Sequence, residues 1–304
     1  MMKKSLCCIS LALQEKKIKS STMTKTRFLS LERKNAERIV ADRTLNNVYV
    51  ARKTLEYCAK LGWNYRISSG LMPLETLPEA NLLWESTYNF DKIKQEFKLA
   101  SEIIRKHNIR CSTHPDQFVV PASANPSVVK KSIVELEAHG TMMDNFNLPR
   151  SYDAPINIHM NCFKGNVKDI ALRFIAIYNT LSDKVRSRLV LELEDKPNSW
   201  GLINLYELIY QKTGIPITYD SHHFRLNNPE NMSPSKAIKM CMETWGKHRP
   251  LFHYSNGKSS VTDRAHSDYV YMLHEELFDN DVDVEFEFKA KDYAIQSFEK
   301  AFKI

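Results

Sequence analysis

The feature that most constrains the fold of this chain is a regular alternation of short strand-like segments with longer amphipathic segments. The strand-like segments are rich in β-branched and aromatic residues and lie at 5–11, 62–69, 109–114, 155–161, 188–194, 215–221, 250–255 and 282–288. Each is followed by a segment with a helical pattern, as in 90–107, where apolar residues recur at spacings of three and four. Eight such units without a break in composition predict a single α/β domain over residues 1–304. The expected fold is a (β/α)8 TIM barrel, with a doubly wound open sheet as the alternative.

Composition and charge are those of an ordinary globular protein with a moderately basic surface. Of the 304 residues, 43% are hydrophobic and 26% are charged, and the formal net charge is +7. This balance suits a polyanionic partner such as nucleic acid. The chain contains no GxGxxG motif, which argues against a glycine-rich phosphate loop. No apolar stretch reaches the length of a membrane span, so no membrane partner is expected.

The cysteines and the N-terminal segment indicate the cellular compartment in which the protein works. The six cysteines are scattered and form no CxxC pair, which favours a reducing compartment over a disulfide framework. The N-terminal segment imitates a signal peptide, with two lysines before an apolar run, but the run is short and no small-residue cleavage site follows it. We therefore interpret 5–11 as a strand and expect an intracellular protein that is not secreted.

Polar residues that are costly to bury recur where the predicted strands end. From the third strand to the eighth they are His114, His159, Glu192, Glu194, Asp220, His223, His253, His266, Glu285 and Glu287. One histidine at a strand end is more often an ordinary hydrogen-bonded side chain than a ligand. In a barrel, however, all these ends meet at one rim, where so many imidazoles and carboxylates would stay unpaired unless cations bound them. Such mixed ligands suit several Zn, Mn or Fe ions, and such a centre suits phosphodiester hydrolysis or sugar isomerisation.

The remaining histidines and one acidic row have other interpretations. Four histidines fall on predicted helices or their edges and are expected to be solvated or capping: His107, His139, His248 and His274. His222 precedes the candidate ligand His223, and neighbouring side chains of a strand point in opposite directions. His222 is therefore expected to face away from the metal that His223 would bind, and at most to support a ligand from behind. In the last strand, alternation places Asp283, Glu285 and Glu287 on one inward face, which requires a bulge or a partner such as lysine.

Six motifs together resemble those of the UV damage endonuclease family. They are YRISS (65–69), STHPDQFV (112–119), LVLELEDK (189–196), IPITYDSHH (215–223), FHYS (252–255) and AHSDYV (265–270), and the resemblance covers essentially the whole chain. The family consists of metal-dependent (β/α)8 repair nucleases similar in architecture to endonuclease IV. The resemblance implies a monomer that cuts double-stranded DNA on the 5′ side of UV photoproducts, both cyclobutane dimers and (6-4) photoproducts. An abasic-site endonuclease of the endonuclease IV type is the first alternative, and a metal-dependent sugar isomerase is the second.

The resemblance also implies a set of metal ligands. Position by position, they fall on His114, His159, Glu192, Asp220, His223, His253, His266 and Glu287. One ion would be bound by His114, His159 and Glu192, and a second by Glu192, Asp220, His253 and Glu287. His223 and His266 would serve a third. Two or three divalent ions are expected, Mn²⁺ first and Zn²⁺ or Mg²⁺ as alternatives, and Glu192, His253 and Glu287 are the expected catalytic residues.

Three further residues are expected to contact DNA. Gln117 and Phe118 match the family pair that probes the damaged duplex, and an amide beside an aromatic ring could enter a base stack that a lesion has already weakened. The alternative for Phe118 is a loop anchor packed on the barrel. Arg66, near the rim, is expected to be either a phosphate contact or part of a structural ion pair.

Several positions depart from the family pattern. A lysine that the family commonly has two residues before the seventh-strand histidine is Leu251 here, and a further family histidine falls near Leu77. The third ion would therefore lack a family ligand. We hypothesise that Asp263 supplies an oxygen ligand beside His266.

Overall fold

Eight parallel strands form the centre of the molecule. The computed structural model describes residues 2–162, 164–196 and 199–302. The strands are β1 Lys4–Cys7, β2 Asn64–Ile67, β3 Cys111–Thr113, β4 Ile156–Ile158, β5 Leu189–Glu192, β6 Ile217–Thr218, β7 Leu251–Tyr254 and β8 Asp283–Phe286. They pair in the order β6-β5-β4-β3-β2-β1-β8-β7, and a parallel bridge between Asp220 and His253 joins the two ends. The predicted TIM barrel is confirmed, and the open sheet is excluded because the first and last strands are hydrogen-bonded neighbours.

Helices connect the strands on the outside of the barrel. They are α1 Leu11–Glu15, α2 Lys25–Leu29, α3 Arg33–Leu61, α4 Phe90–His107, α5 Pro126–Asn145, α6 Val167–Tyr178, α7 Asp183–Arg186, α8 Leu202–Leu205, α9 Gln211–Thr213, α10 Ser221–Leu226, α11 Pro234–Thr244, α12 Glu275–Phe278 and α13 Lys291–Phe302. A π-helical turn, Tyr206–Tyr210, joins α8 to α9. Among the described residues, no helix combines the length and apolar character that crossing a bilayer requires.

Local sequence explains where the helices begin. The side chain of Asn125 accepts a hydrogen bond from the backbone N–H of Ser127 and caps α5, whose first residue is Pro126. Asn166 caps α6 in the same way through Lys168. The helix predicted over 90–107 coincides with α4, whose periodic apolar face buries Ile93, Phe97 and Ala100 against the barrel.

The acidic face of β8 has cationic partners at two levels of the barrel. At the N-terminal end, Asp283 accepts from Arg249 at 2.9 Å and lies 3.4 Å from Arg110. At the C-terminal end, Glu285 and Glu287 pair with Arg66 of β2. The predicted inward row is confirmed, and three arginines from other parts of the barrel compensate the charges in place of a lysine. The other polar side chains at the strand ends lie at this same C-terminal mouth of the barrel.

Candidate metal centre

Glu192 is the centre of the polar cluster at the C-terminal mouth of the barrel. It is the last residue of β5 and is fully buried. Its Oε2 lies 3.0 Å from Nε2 of His114 and 3.7 Å from Nε2 of His159. Its Oε1 lies 3.1 Å from Nδ1 of His253 and 3.3 Å from Nδ1 of His223. Four imidazoles from four different strand ends therefore converge on one carboxylate.

Two groups of potential metal ligands share this carboxylate. In the first, His114, His159 and Glu192 each offer one ligand atom, and these atoms lie within 4.8 Å of one another. In the second, Glu192, Asp220, His253 and Glu287 meet the same limit. The structure thus brings together the two sets that the family resemblance implied for the first two ions.

Several buried atoms in these groups have no hydrogen-bond partner among the described residues. They are Nδ1 of His159, Oε1 of Glu192, Oδ2 of Asp220 and Nδ1 of His253. Unpaired carboxylate and imidazole atoms are costly in a barrel interior, and a divalent cation is the partner that suits both. The donor set and its orphaned atoms therefore fit a bound metal.

The charges of the cluster are strongly coupled. Burial lowers the pKa of His159 to about 4. Burial also opposes charge on His253, but Glu192 and Glu287 raise its pKa well above the usual range. Burial opposes ionisation of Glu192 as well, yet His159 and His253 hold its pKa well below the usual range. Protonated imidazole thus serves as the counter-charge of the carboxylates, a role that a metal cation can take over as protons leave.

Local backbone structure orients Asp220. It follows β6 and caps α10, where its Oδ1 accepts the backbone N–H groups of His222 at 2.7 Å and His223 at 2.6 Å. This cap fixes one carboxylate oxygen and leaves Oδ2 free to face the second group. The short helix also carries His223 toward Glu192.

Arg66 forms the structural ion pair that was one of its two predicted roles. Its Nη1 lies 3.2 Å from Oε2 of Glu285 and donates to Glu287. Glu285 also accepts from the Ser112 hydroxyl. Cys7 of β1 lies beside the same two carboxylates, with its sulfur atom within 4.8 Å of their oxygens. Arg66 and its neighbours therefore hold Glu287 in place for the second group.

One residue that holds the site was missed in the sequence, and another was singled out without its role. Asn157 donates to Oε2 of Glu192 and is buried beneath it. Asn157 lies in β4, two residues before His159, which directly follows the strand. Because side chains alternate along a strand, both residues face inward, and this pattern could have identified Asn157. Glu194, singled out as a strand-end acid, accepts the backbone N–H of Asn161 at 2.8 Å. It fixes the loop after β4, and burial raises its pKa.

His223 and His266 are only partly arranged for a third ion. Nδ1 of His223 lies 3.0 Å from the carbonyl oxygen of Leu193, and Nδ1 of His266 lies 2.7 Å from that of Glu287. Their ring centroids are 6.2 Å apart. The Asp263 carboxylate accepts from Ser259 and Ala265 within its own loop, an arrangement that does not favour it as a ligand.

The loop after β3 carries the predicted DNA probes. Gln117 lines the cavity of about 430 Å³ that opens onto the cluster. Phe118 is 77% exposed, so it does not pack on the barrel as the alternative interpretation required. An exposed aromatic ring beside a polar cavity is suited to contact a nucleic-acid base.

Two of the four histidines expected to be solvated or capping are buried. His139 lies inside α5, and its Nδ1 is 2.9 Å from the Thr113 hydroxyl, so the expectation is wrong for this residue. His274 holds the N-cap position of α12 but is buried against the Arg225 guanidinium. His107 is exposed at the end of α4, as expected. His248 lies 3.0 Å from the Asp153 carboxylate.

The barrel with a histidine and carboxylate cluster at its mouth defines the class of the protein as a TIM-barrel enzyme. A sequence model of the UV-endonuclease UvdE family matches residues 3–303. The chain belongs to this family, which confirms both the resemblance found in the sequence and the prediction of a nuclease that acts on phosphodiester bonds.

Individual relatives agree with the family match. A UV DNA damage endonuclease of Nostoc sp. is 31% identical over 274 residues, which cover 87% of this chain and 80% of the relative. One of Bacillus velezensis is 28% identical, with coverage of 91% and 86%.

Solved structures show the same architecture. A crystal structure titled SacUVDE matches with a TM-score of 0.84 and 26% identity over 100% of both chains. Endonuclease IV from Thermus thermophilus has a TM-score of 0.56 at 14% identity, covering 83% of this chain and 94% of its own. At that identity the likeness to endonuclease IV concerns the fold alone.

Proposed function

We propose that this DNA repair endonuclease nicks double-stranded DNA on the 5′ side of UV photoproducts and depends on bound divalent metal ions. It acts as a monomer inside the cell, where the DNA is. The observation that carries the proposal is the pair of ligand groups sharing Glu192, in a chain that belongs to the UV-endonuclease family.

The buried residues fit two ions, and His223 with His266 would contribute to a third. One ion would be held by His114, His159 and Glu192, and the second by Glu192, Asp220, His253 and Glu287. Mn²⁺ is the first choice because the family resemblance implies it, and Zn²⁺ or Mg²⁺ are alternatives that the mixed imidazole and carboxylate ligands also allow. Held by these residues, divalent ions would supply Lewis-acid chemistry to the phosphate, to an attacking water and to the leaving oxygen.

The chain's own residues determine how the DNA meets this centre. Glu192, His253 and Glu287 are proposed as the catalytic residues because they are the buried groups nearest the shared position. Arg66 keeps Glu287 ionised, since its guanidinium is, after the opposing effect of burial, the main cause of the low pKa of that carboxyl. Gln117 and Phe118 would enter the weakened base stack and place the adjoining phosphate at the mouth.

Abasic-site cleavage is the main competing function. Abasic-site cleavage uses the same fold and the same chemistry. The exposed Phe118, however, favours an enzyme that recognises damaged bases within the base stack. A sugar isomerase would need neither an exposed aromatic probe nor the net charge of +7.

Comparing three duplexes tests the proposal. Purified protein with Mn²⁺ is incubated with UV-irradiated, abasic and intact DNA of one sequence, and nicks are counted on a denaturing gel. Preferential nicking of the UV-irradiated duplex is expected. Preferential cutting of the abasic duplex, or turnover of a free sugar without any DNA cleavage, would contradict it.

A further inference from the structure

His222 is the most poorly compensated buried side chain near the metal centre. Its residue is 0% exposed, and neither Nδ1 nor Nε2 forms a hydrogen bond of full geometry among the described residues, although the backbone of Asp263 approaches the ring. A buried imidazole normally donates through one nitrogen and accepts through the other, so at least one nitrogen of His222 carries the desolvation penalty of an unpaired polar atom. A buried imidazole at this position, rather than a hydrocarbon side chain, is explained if the ring binds a ligand such as a metal ion.

The loop after β7 covers this ring closely. A Cβ atom on Gly257 would lie 3.2 Å from Cε1 of His222 and would collide with the backbone oxygens of Ser260 and Asp263. Only glycine allows the loop to approach this closely. The loop is closed by a bridge between Gly257 and His266, which brings His266 over the same ring.

Three imidazoles meet at this point. The ring centroids of His222 and His266 are 5.8 Å apart, those of His222 and His223 are 6.3 Å apart, and those of His223 and His266 are 6.2 Å apart. A metal–nitrogen bond of about 2.1 Å puts a ring centroid about 3.2 Å from the ion, so two rings on one ion have centroids within about 6.4 Å. Each pair satisfies this limit, but the point equidistant from the three centroids lies about 3.5 Å from each, so the rings must close by about 0.3 Å to bind one ion.

We infer that His222 is a ligand of an outer divalent cation, which it binds together with His223 and His266. Three imidazoles suit a borderline first-row ion such as Zn²⁺, Co²⁺ or Mn²⁺. Among the described residues, these nitrogens do not form one of the groups within 4.8 Å, so binding turns the side chains toward a common point. The inference rests on the proposed metal dependence of the enzyme.

This assignment resolves the partial third site. Leu251 is buried and offers no ligand atom, and the Asp263 carboxylate is engaged in its own loop. His223 and His266 alone would be two ligands. His222 makes a third from α10, and a water molecule or a phosphate oxygen can complete a tetrahedral set.

Metal counting tests the inference independently of cleavage. Protein stripped with a chelator is dialysed against Zn²⁺ or Mn²⁺, and bound ions per chain are measured by plasma mass spectrometry and titration calorimetry. His222→Gln is expected to lose one ion, or to bind the last ion at least about 10-fold more weakly. His107→Gln, at an exposed position, is the matched control and should behave like the wild type.

Two further variants keep the test decisive. His266→Gln, at a half-buried position, should lose the same ion as His222→Gln, and the double variant should lose no more; this serves if His222→Gln folds poorly. Glu192→Gln should lose ions while the one dependent on His222 remains. An unchanged ion count and affinity in His222→Gln would overturn the inference and leave the proposed function intact. A wild type that binds three ions but does not nick UV-irradiated DNA would overturn the function instead.

Discussion

Oε1 of Glu192 and Nδ1 of His253 lie 3.1 Å apart at the mouth of the barrel, yet they do not form a hydrogen bond. Both side chains are 1% exposed. Because neither atom has a hydrogen-bond partner among the described residues, the pair marks a position for a shared partner. On the other side, Oε2 of Glu192 is hydrogen-bonded to Nε2 of His114 at 3.0 Å, and the carboxylate therefore joins two candidate ion positions.

Removing this shared carboxylate should abolish activity. Glu192→Gln keeps the size of the side chain but removes the anionic ligand of both groups. We expect nicking of UV-irradiated DNA to fall by more than about 100-fold, since losing an outer-shell partner alone costs about 10–100-fold. Gel-based rates measure this, with circular dichroism to show that the fold persists. Glu102→Gln, exposed on α4, is the control, and near wild-type turnover in Glu192→Gln would refute the assignment.

The exposed ring of Phe118 should matter for DNA and not for stability. Phe118→Ala is expected to weaken binding to a lesion-containing duplex by about 10-fold or more, because stacking on a base contributes about 1–3 kcal/mol. The free energy of unfolding should change by no more than about 0.5 kcal/mol, as for other surface positions. Fluorescence anisotropy and urea unfolding provide the two measurements. Leu172→Ala, at a side chain that is 58% exposed on α6, should leave DNA binding unchanged.

Arg66 should matter for stability as well as activity. Arg66→Ala leaves Glu285 and Glu287 without their guanidinium partner, and breaking a buried pair costs about 3 kcal/mol. Urea unfolding of the metal-free protein measures this loss. In the control Arg264→Ala, an exposed pair with Asp195 is broken, and the expected cost is at most about 1 kcal/mol. Equal stabilities of the two variants would show that Arg66 is not a structural ion-pair partner.

His139 should make stability depend on pH. Burial lowers its pKa to about 4 from the usual 6.5, so between these values the unfolded chain binds a proton that the folded chain excludes. Its contribution is therefore fully present above pH 6.5 and is lost as the pH falls toward 4. Between about pH 7.5 and about pH 5.5 the wild type should lose about 1 kcal/mol more than His139→Asn, which does not titrate. Parallel pH dependence of the two proteins in urea unfolding would contradict this, and His107→Asn should behave like the wild type.

Much of the fold and site followed from the sequence because two periodicities are strong in this chain. The β-branched runs located all eight strands, and only Lys4 extends one of them beyond its predicted segment. Since parallel strands end at one rim, the polar residues at those ends were expected together, and Glu192 with His253 shows that they are.

What remained hidden depends on the register between strands that are distant in sequence. Two partners of Glu285, Ser112 and Arg66, come from β3 and β2, and no local pattern links them to β8. His222 shows the limit of alternation most clearly. The chain enters α10 at Ser221, so a period of two no longer applies, and the ring lies beside His266.

The central claim is that the cluster around Glu192 cuts DNA beside UV lesions by means of bound metal. Mapping the nick on a duplex with a single cyclobutane dimer, with Mn²⁺ and after its removal by a chelator, tests this claim most directly. We predict one nick, immediately on the 5′ side of the dimer, that disappears on chelation and returns with Mn²⁺. Nicking that persists without divalent ions, or a nick elsewhere with the dimer site left intact, would contradict it.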